Sequence, residues 1–115
     1  MTDLAPLPVY PAASLALAPA PLASEQVLAG DPVVRATELR DDGRVTVGVW
    51  EHKPGMSSDV ESDEVFVVLA GWATVEVEGG PRLELRLGDV AFLEAGWRTR
   101  WTVHETLRKV YVTLG

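Results

Sequence analysis

The chain contains no cysteine. Neither a disulfide framework nor a thiolate zinc site is available, so its core must hold together by burial alone. Basic residues are also in the minority, with ten Lys and Arg against seventeen Asp and Glu and a formal net charge of -7. A surface of that sign repels phosphate backbones and anionic lipid head groups. Roles resting on non-specific attraction to nucleic acid or membrane are therefore disfavoured, and a small neutral or cationic organic ligand, or another protein, is the expected partner. There is no phosphate-binding glycine loop, no G-x-S-x-G elbow and no basic patch. Uninterrupted apolar stretches are lacking too. The first 22 residues are rich in Ala, Leu and Pro, but they have no basic leading segment and carry Asp3. Pro6, Pro8, Pro11, Pro19 and Pro21 break any run that could cross a bilayer or serve as a secretory signal. A cytoplasmic location is the resulting expectation.

What is present is enough for one core. With 115 residues, 47% of them hydrophobic, the chain fits a single domain and is too short for two. Residues 1–23 read as an extended Pro-rich arm, because such segments prefer polyproline-like conformations, and residues 24–115 read as the folded domain. From Val33 onward, runs of Val, Thr, Trp and Phe alternate with turn residues, which is an all-β pattern. Strands are expected at Val33–Leu39, Val45–Glu51, Val65–Leu69, Ala73–Glu78, Arg82–Leu87, Val90–Leu93, Thr99–His104 and Arg108–Thr113. Asp41-Asp42-Gly43 and Glu78-Gly79-Gly80-Pro81 supply the turns between them. Val65-Phe66-Val67-Val68-Leu69 does not alternate, so it should be covered on both faces. A homodimer, formed through the arm and a sheet face, follows as an expectation.

Several stretches then fall into a known order. Trp50-Glu51-His52-Lys53-Pro54-Gly55, with Glu64 followed by Gly71, resembles the first cupin motif, and Gly88-Asp89 followed by Leu93-Glu94-Ala95-Gly96 resembles the second. The closing run Trp101, Val103, Glu105, Arg108, Lys109 and Tyr111 is similar to that of the small cupins grouped with the (S)-ureidoglycine aminohydrolase cupin domain. The resemblance implies a single-domain cupin, a jelly-roll barrel also described as a double-stranded β-helix. It also implies a metal held by three His and one Glu. At the implied positions stand Ser57, Asp59 and Thr99, and only Glu64 matches, so no metal cofactor is expected. A divalent ion would need a rebuilt set of Glu64 with Asp59, Glu61 or His52.

Asp59, Glu61, Asp63 and Glu64 otherwise read as a solvated loop, with Glu64 as the exception. Pointed into a barrel, Glu64 would need a partner, since an unpaired buried carboxylate costs several kcal/mol or changes its protonation. Lys109, Arg100, Arg98, His52 and His104 are the available groups. Residues two apart on a strand share a face. A pocket wall of Trp50, Glu64, Phe66, Trp97, Thr99, Trp101 and Tyr111 follows, and the same aromatics could equally fill the core. Three roles remain open. The chain is a metal-poor barrel binding a small molecule, a metal-assisted enzyme of the aminohydrolase or isomerase type rebuilt around Glu64, or a non-catalytic accessory dimer. Acid–base work would fall to Glu64, Lys109, His52 or His104, and no nucleophile with an adjacent base stands out.

Overall fold

A computed structural model describes residues 8–114; residues 1–7 of the expected arm and Gly115 lie outside the described residues. In chain order the elements are β1 (Ala18–Pro19), a 3-10 turn (Ser24–Gln26), β2 (Val27–Gly30), β3 (Val34–Asp41), β4 (Val45–His52) and β5 (Gly55–Val60). They continue with β6 (Glu64–Val77), β7 (Arg82–Arg86), β8 (Val90–Leu93) and β9 (Arg98–Leu114). All strand pairing is antiparallel. Among the described residues no helix is long and apolar enough to cross a membrane.

Strand β9 is the spine. Along one edge its first half pairs with β5 and its second half with β4, while β6 runs along the other edge for nearly its full length. Strand β3 extends the sheet beyond β4, β2 extends it beyond β5, and β8 and β7 lie end to end along the other edge of β6, on its first and second halves. The result is one nine-stranded sheet curled into an all-β half-barrel. Its concave face gathers Phe66, Val68, Ala73, Val75, Leu85, Leu93, Trp101, Val103 and Leu107 into the core.

Two expected pairs of strands are each one continuous strand. On β6, Phe66 and Val68 are buried before the break and Ala73, Val75 and Val77 after it, so the inward parity changes from even to odd. A bulge makes that change, visible as register shifts between Val68 and Ala73. Gly71 is its hinge. Its φ of +89° suits glycine, and a Cβ there would run into the carbonyl of Thr106. On β9 the odd residues Thr99, Trp101, Val103, Leu107 and Lys109 are buried without any change of parity.

The turn at Asp41-Asp42-Gly43 closes as its chemistry requires. The Asp41 carboxylate accepts from Gly43 N–H, and that of Asp42 accepts from Arg44 and Val45 N–H. Strand β5, in contrast, lies between the expected strands Val45–Glu51 and Val65–Leu69, where no strand is expected. The described part of the arm lies against its own chain: β1 pairs with β3, Arg108 Nη1 donates to the carbonyls of Ala12 and Leu15, and Leu22 reaches the lining of the cavity described below. The doubly apolar segment of β6 is buried on its concave side at Phe66 and Val68 and half-buried on the other at Val65 and Val67. Beside the latter on β8, Phe92 and Val90 are 68% and 58% exposed.

Replacing Gly71 by Ala should therefore cost about 3 kcal/mol of stability, combining the strain of positive φ with a backbone clash. Urea unfolding measures it, and a loss below about 1 kcal/mol would mean that β6 can release its bulge.

Candidate functional site

The concave face holds a small cavity of ≈ 210 Å³ whose lining includes Trp50, Ser57, Glu64, Trp101, Lys109 and Tyr111. The sheet register places Lys109 between Trp50 of β4 and Val68 of β6. Its ammonium lies 2.7 Å from Glu64 Oε2. Aromatic rings surround the same nitrogen, with centroids at 4.5 Å for Trp50, 4.3 Å for Phe66 and 4.9 Å for Trp101. The Lys109 and Glu64 side chains are 6% and 11% exposed, so their desolvation is opposed by one charge-assisted hydrogen bond and by three ring quadrupoles.

A second buried carboxylate is satisfied without a cation. Glu61, 8% exposed, accepts hydrogen bonds from Thr99 Oγ1 at 2.6 Å and from Trp101 Nε1 at 3.0 Å. The acidic stretch is thus not a solvated loop throughout, since Asp59 belongs to β5, Glu61 is buried and Glu64 opens β6. Asp59 is exposed at the cavity rim, and partial desolvation there, reinforced by the negative charge of Glu61, pushes its carboxyl above its usual range. Burial also holds the Tyr111 phenol above its ordinary value, with Glu38 and Glu64 adding to the effect.

His52 and Ser57 face each other across the Lys53-Pro54 break between β4 and β5. His52 Nε2 is 2.9 Å from Ser57 Oγ, and Nδ1 is 2.6 Å from the Lys53 carbonyl oxygen. His52 is fully buried, and that burial, with the charge of Lys109 adding to it, lowers its affinity for a proton. No spacing signals this pair, because a His and a Ser five apart are unremarkable until a Pro-Gly turn folds one strand end onto the next.

The other expected site residues separate. Thr99 is held by Glu61 and borders a broader, open trough of ≈ 760 Å³ at the ends of β2, β5, β6 and β9. That trough is larger but carries exposed charges such as Glu78, Arg98 and Arg100, whereas buried polar groups converge in the small cavity. Trp97 packs against the core and is absent from the cavity lining. His104 has even parity on β9 and faces away, where it stacks on Trp72 at 4.2 Å and bonds Thr74 at 3.0 Å. Among the described residues no three His, Cys, Asp or Glu side chains converge as a metal-ligand set. Glu64 is engaged by Lys109, Glu61 by Thr99 and Trp101, and both His52 nitrogens are in hydrogen bonds, so the rebuilt set does not fit a divalent ion.

Comparison with known proteins follows from this geometry. Residues 39–111, more than half of the chain, match the EutQ-like cupin domain family. The chain belongs to that family. The matched region runs from the end of β3 to the Tyr111 side of the cavity, so it includes Trp50, Glu64 and Lys109. Among solved structures, the EutQ protein of Clostridium difficile is 21% identical, with 83% of this chain and 80% of that one covered and a TM-score of 0.66. A putative ethanolamine utilization protein from Salmonella typhimurium is 23% identical, with 71% and 69% covered and a TM-score of 0.64. A protein of unknown function from Pseudomonas syringae pv. tomato is 25% identical with a TM-score of 0.76, over 87% of this chain and 45% of that one. No curated protein matches. These likenesses establish a cupin fold for this EutQ-like cupin chain.

The ion pair makes a quantitative demand. Glu64→Gln and Lys109→Met should each cost about 3–5 kcal/mol, because each leaves a buried partner charge unpaired. The double variant should cost clearly less than their sum. Urea unfolding of the four proteins gives the coupling, and simple additivity would show that the two groups do not depend on each other.

Proposed function

We propose that this EutQ-like cupin is a small-molecule-binding barrel that works without the metal the cupin resemblance implies and uses the Lys109–Glu64 pair as its fixed polar anchor. The observation that carries the reading is the buried ammonium held against Glu64 and ringed by Trp50, Phe66 and Trp101. At ≈ 210 Å³ the cavity is smaller than the roughly 300–1,000 Å³ of drug-sized sites. Its occupant is accordingly a small metabolite. Asp59, Glu61 and Glu64 line the cavity against a single lysine, which favours a neutral or cationic organic ligand over a carboxylate. An aminohydrolase-type reaction would call on metal-bound water, and among the residues that would have to hold the metal Glu64 is engaged by Lys109, Glu61 by Thr99 and Trp101, and His52 by Ser57 and the Lys53 carbonyl.

Trp50 and Trp101 stand in the cavity wall and make binding visible. A panel of small amines, amides and carboxylates should quench tryptophan fluorescence in the order cation or neutral before anion, and Glu64→Gln should abolish the preference. Elemental analysis of the purified chain should find less than stoichiometric transition metal. A stoichiometric metal, or equal quenching by carboxylates, would sink the reading.

The convex face supports a second proposal, the homodimer. Phe92 and Val90 are exposed beside half-buried Val65 and Val67, which lie in register with Val112 and Val110 of β9. A continuous apolar sheet face of this kind fits a second copy of itself. The described arm already lies on its own chain, so the sheet face rather than arm exchange carries the proposal. Sedimentation should give a dimer at micromolar concentration and a monomer for Phe92→Lys, whereas a monomeric wild type would refute it.

A further inference from the structure

His52 ends β4 and Ser57 is the third residue of β5, and together they form a pair that simple binding does not require. The hydrogen bonds fix the direction of the proton. The Lys53 carbonyl can only accept, so His52 Nδ1 carries the hydrogen and donates to it. Nε2 is then an unprotonated acceptor, and the Ser57 hydroxyl donates to it over 2.9 Å. A hydroxyl, an imidazole within hydrogen-bond reach and a third group orienting that imidazole are the three parts of an activated serine. The surroundings support the same role. Burial leaves His52 unprotonated before the reaction, and the bond from Nδ1 to the Lys53 carbonyl favours the protonated ring and so offsets part of that penalty when Nε2 takes up the Ser57 proton. Ser57 and Lys109 line the same cavity, so the ammonium is the cation available there to a substrate oxygen that gains negative charge.

We propose that Ser57 is an acyl-accepting nucleophile with His52 as its general base, acting on small neutral or cationic esters that enter the cavity. This goes beyond the binding reading, which needs recognition alone. In the first step the Ser57 Oγ–H proton passes to His52 Nε2 while Oγ bonds to the ester carbonyl carbon. The carbon–oxygen bond to the leaving alcohol then breaks, and that alcohol takes the proton from His52. In the second step His52 accepts a proton from water as the water oxygen attacks the acyl-Ser57 carbon. Ser57 leaves with the proton from His52, so that one ester and one water yield one acid and one alcohol. The cavity volume restricts the acyl group to a short one, and Asp59, Glu61 and Glu64 disfavour esters bearing a carboxylate.

A merely structural role is the competing explanation, since the same hydrogen bond satisfies two buried polar groups and ties β4 to β5. Diisopropyl fluorophosphate and p-nitrophenyl acetate, applied to the full chain, separate the two. The fluorophosphate should add one diisopropylphosphoryl group at Ser57, with loss of fluoride, located by peptide mass mapping. Release of p-nitrophenol above the buffer rate should fall by about 100-fold or more in Ser57→Ala and in His52→Gln. In the wild type the rate should stay level as pH falls to the ordinary histidine value of 6.5 and decline only below it, because the folded His52 takes up its proton later than a free imidazole. No adduct, an adduct elsewhere, or a His52→Gln protein that reacts at the wild-type rate would overturn the proposal. If His52→Gln fails to fold by circular dichroism, the position of the wild-type adduct and its pH profile still decide.

Discussion

A buried ammonium is the constraint around which this half-barrel is organised. Moving Lys109 out of water costs several kcal/mol, and the sheet has to return most of that through geometry. Glu64 supplies the opposite charge from the first residue of β6, while Trp50, Phe66 and Trp101 come from three different strands. All of these contacts depend on the register of β9 against β4 and β6, which sets Lys109 opposite Trp50 and Tyr111 opposite Phe66. A slip of one residue on β9 would turn Lys109 to the convex face and bring Arg108 or Val110 inward. The ion pair therefore penalises the wrong register alongside the apolar core.

The same face treats its two inner carboxylates differently. Glu64 is neutralised by a cation, whereas Glu61 is solvated by a hydroxyl and an indole N–H. This division has a consequence for the cavity's field. One lysine serves one glutamate, and the charge of Glu61 is left to hydrogen bonds and to whatever occupies the cavity. Trp101 links the two arrangements, since its ring faces Lys109 while its N–H donates to Glu61. A change at this one residue would disturb both carboxylates.

Much of the fold was legible in the sequence because its signals are local. The valine-rich runs, the Asp-Asp-Gly turn and the two-residue alternation on β9 each report on their own neighbourhood, and they assembled in the order of a cupin. Where the strand reading failed, the deciding contacts were distant. Strand β5 lacks an apolar period in Gly55–Val60 and is a strand because β9 and β2 flank it. Glu61 looks like one acid in a solvated loop, and its partners stand 38 and 40 residues further on. In the site, parity pointed to Glu64, Phe66 and Trp101 on the concave side, and Lys109 was one of several possible partners. Parity also argues against His104, whose even position on β9 turns it outward toward Trp72. The Ser57–His52 pair depends on a turn geometry that no spacing rule reports.

A tethered ammonium differs from the metal that the resemblance implies in ways that limit its chemistry. A divalent ion brings two charges and an open coordination position, and it can activate a bound water. An ammonium brings one charge and three donors. In this chain one donor is committed to Glu64, and three rings shield much of the remaining approach. Lys109 can orient a ligand and stabilise developing negative charge, but it offers no way to make a nucleophile from water. Any reaction in this cavity must draw its nucleophile from another group. Within the lining, the hydroxyl that already donates to an unprotonated imidazole is that of Ser57, so recognition by Lys109 and reactivity at Ser57 would be divided between two groups that a metal would have combined.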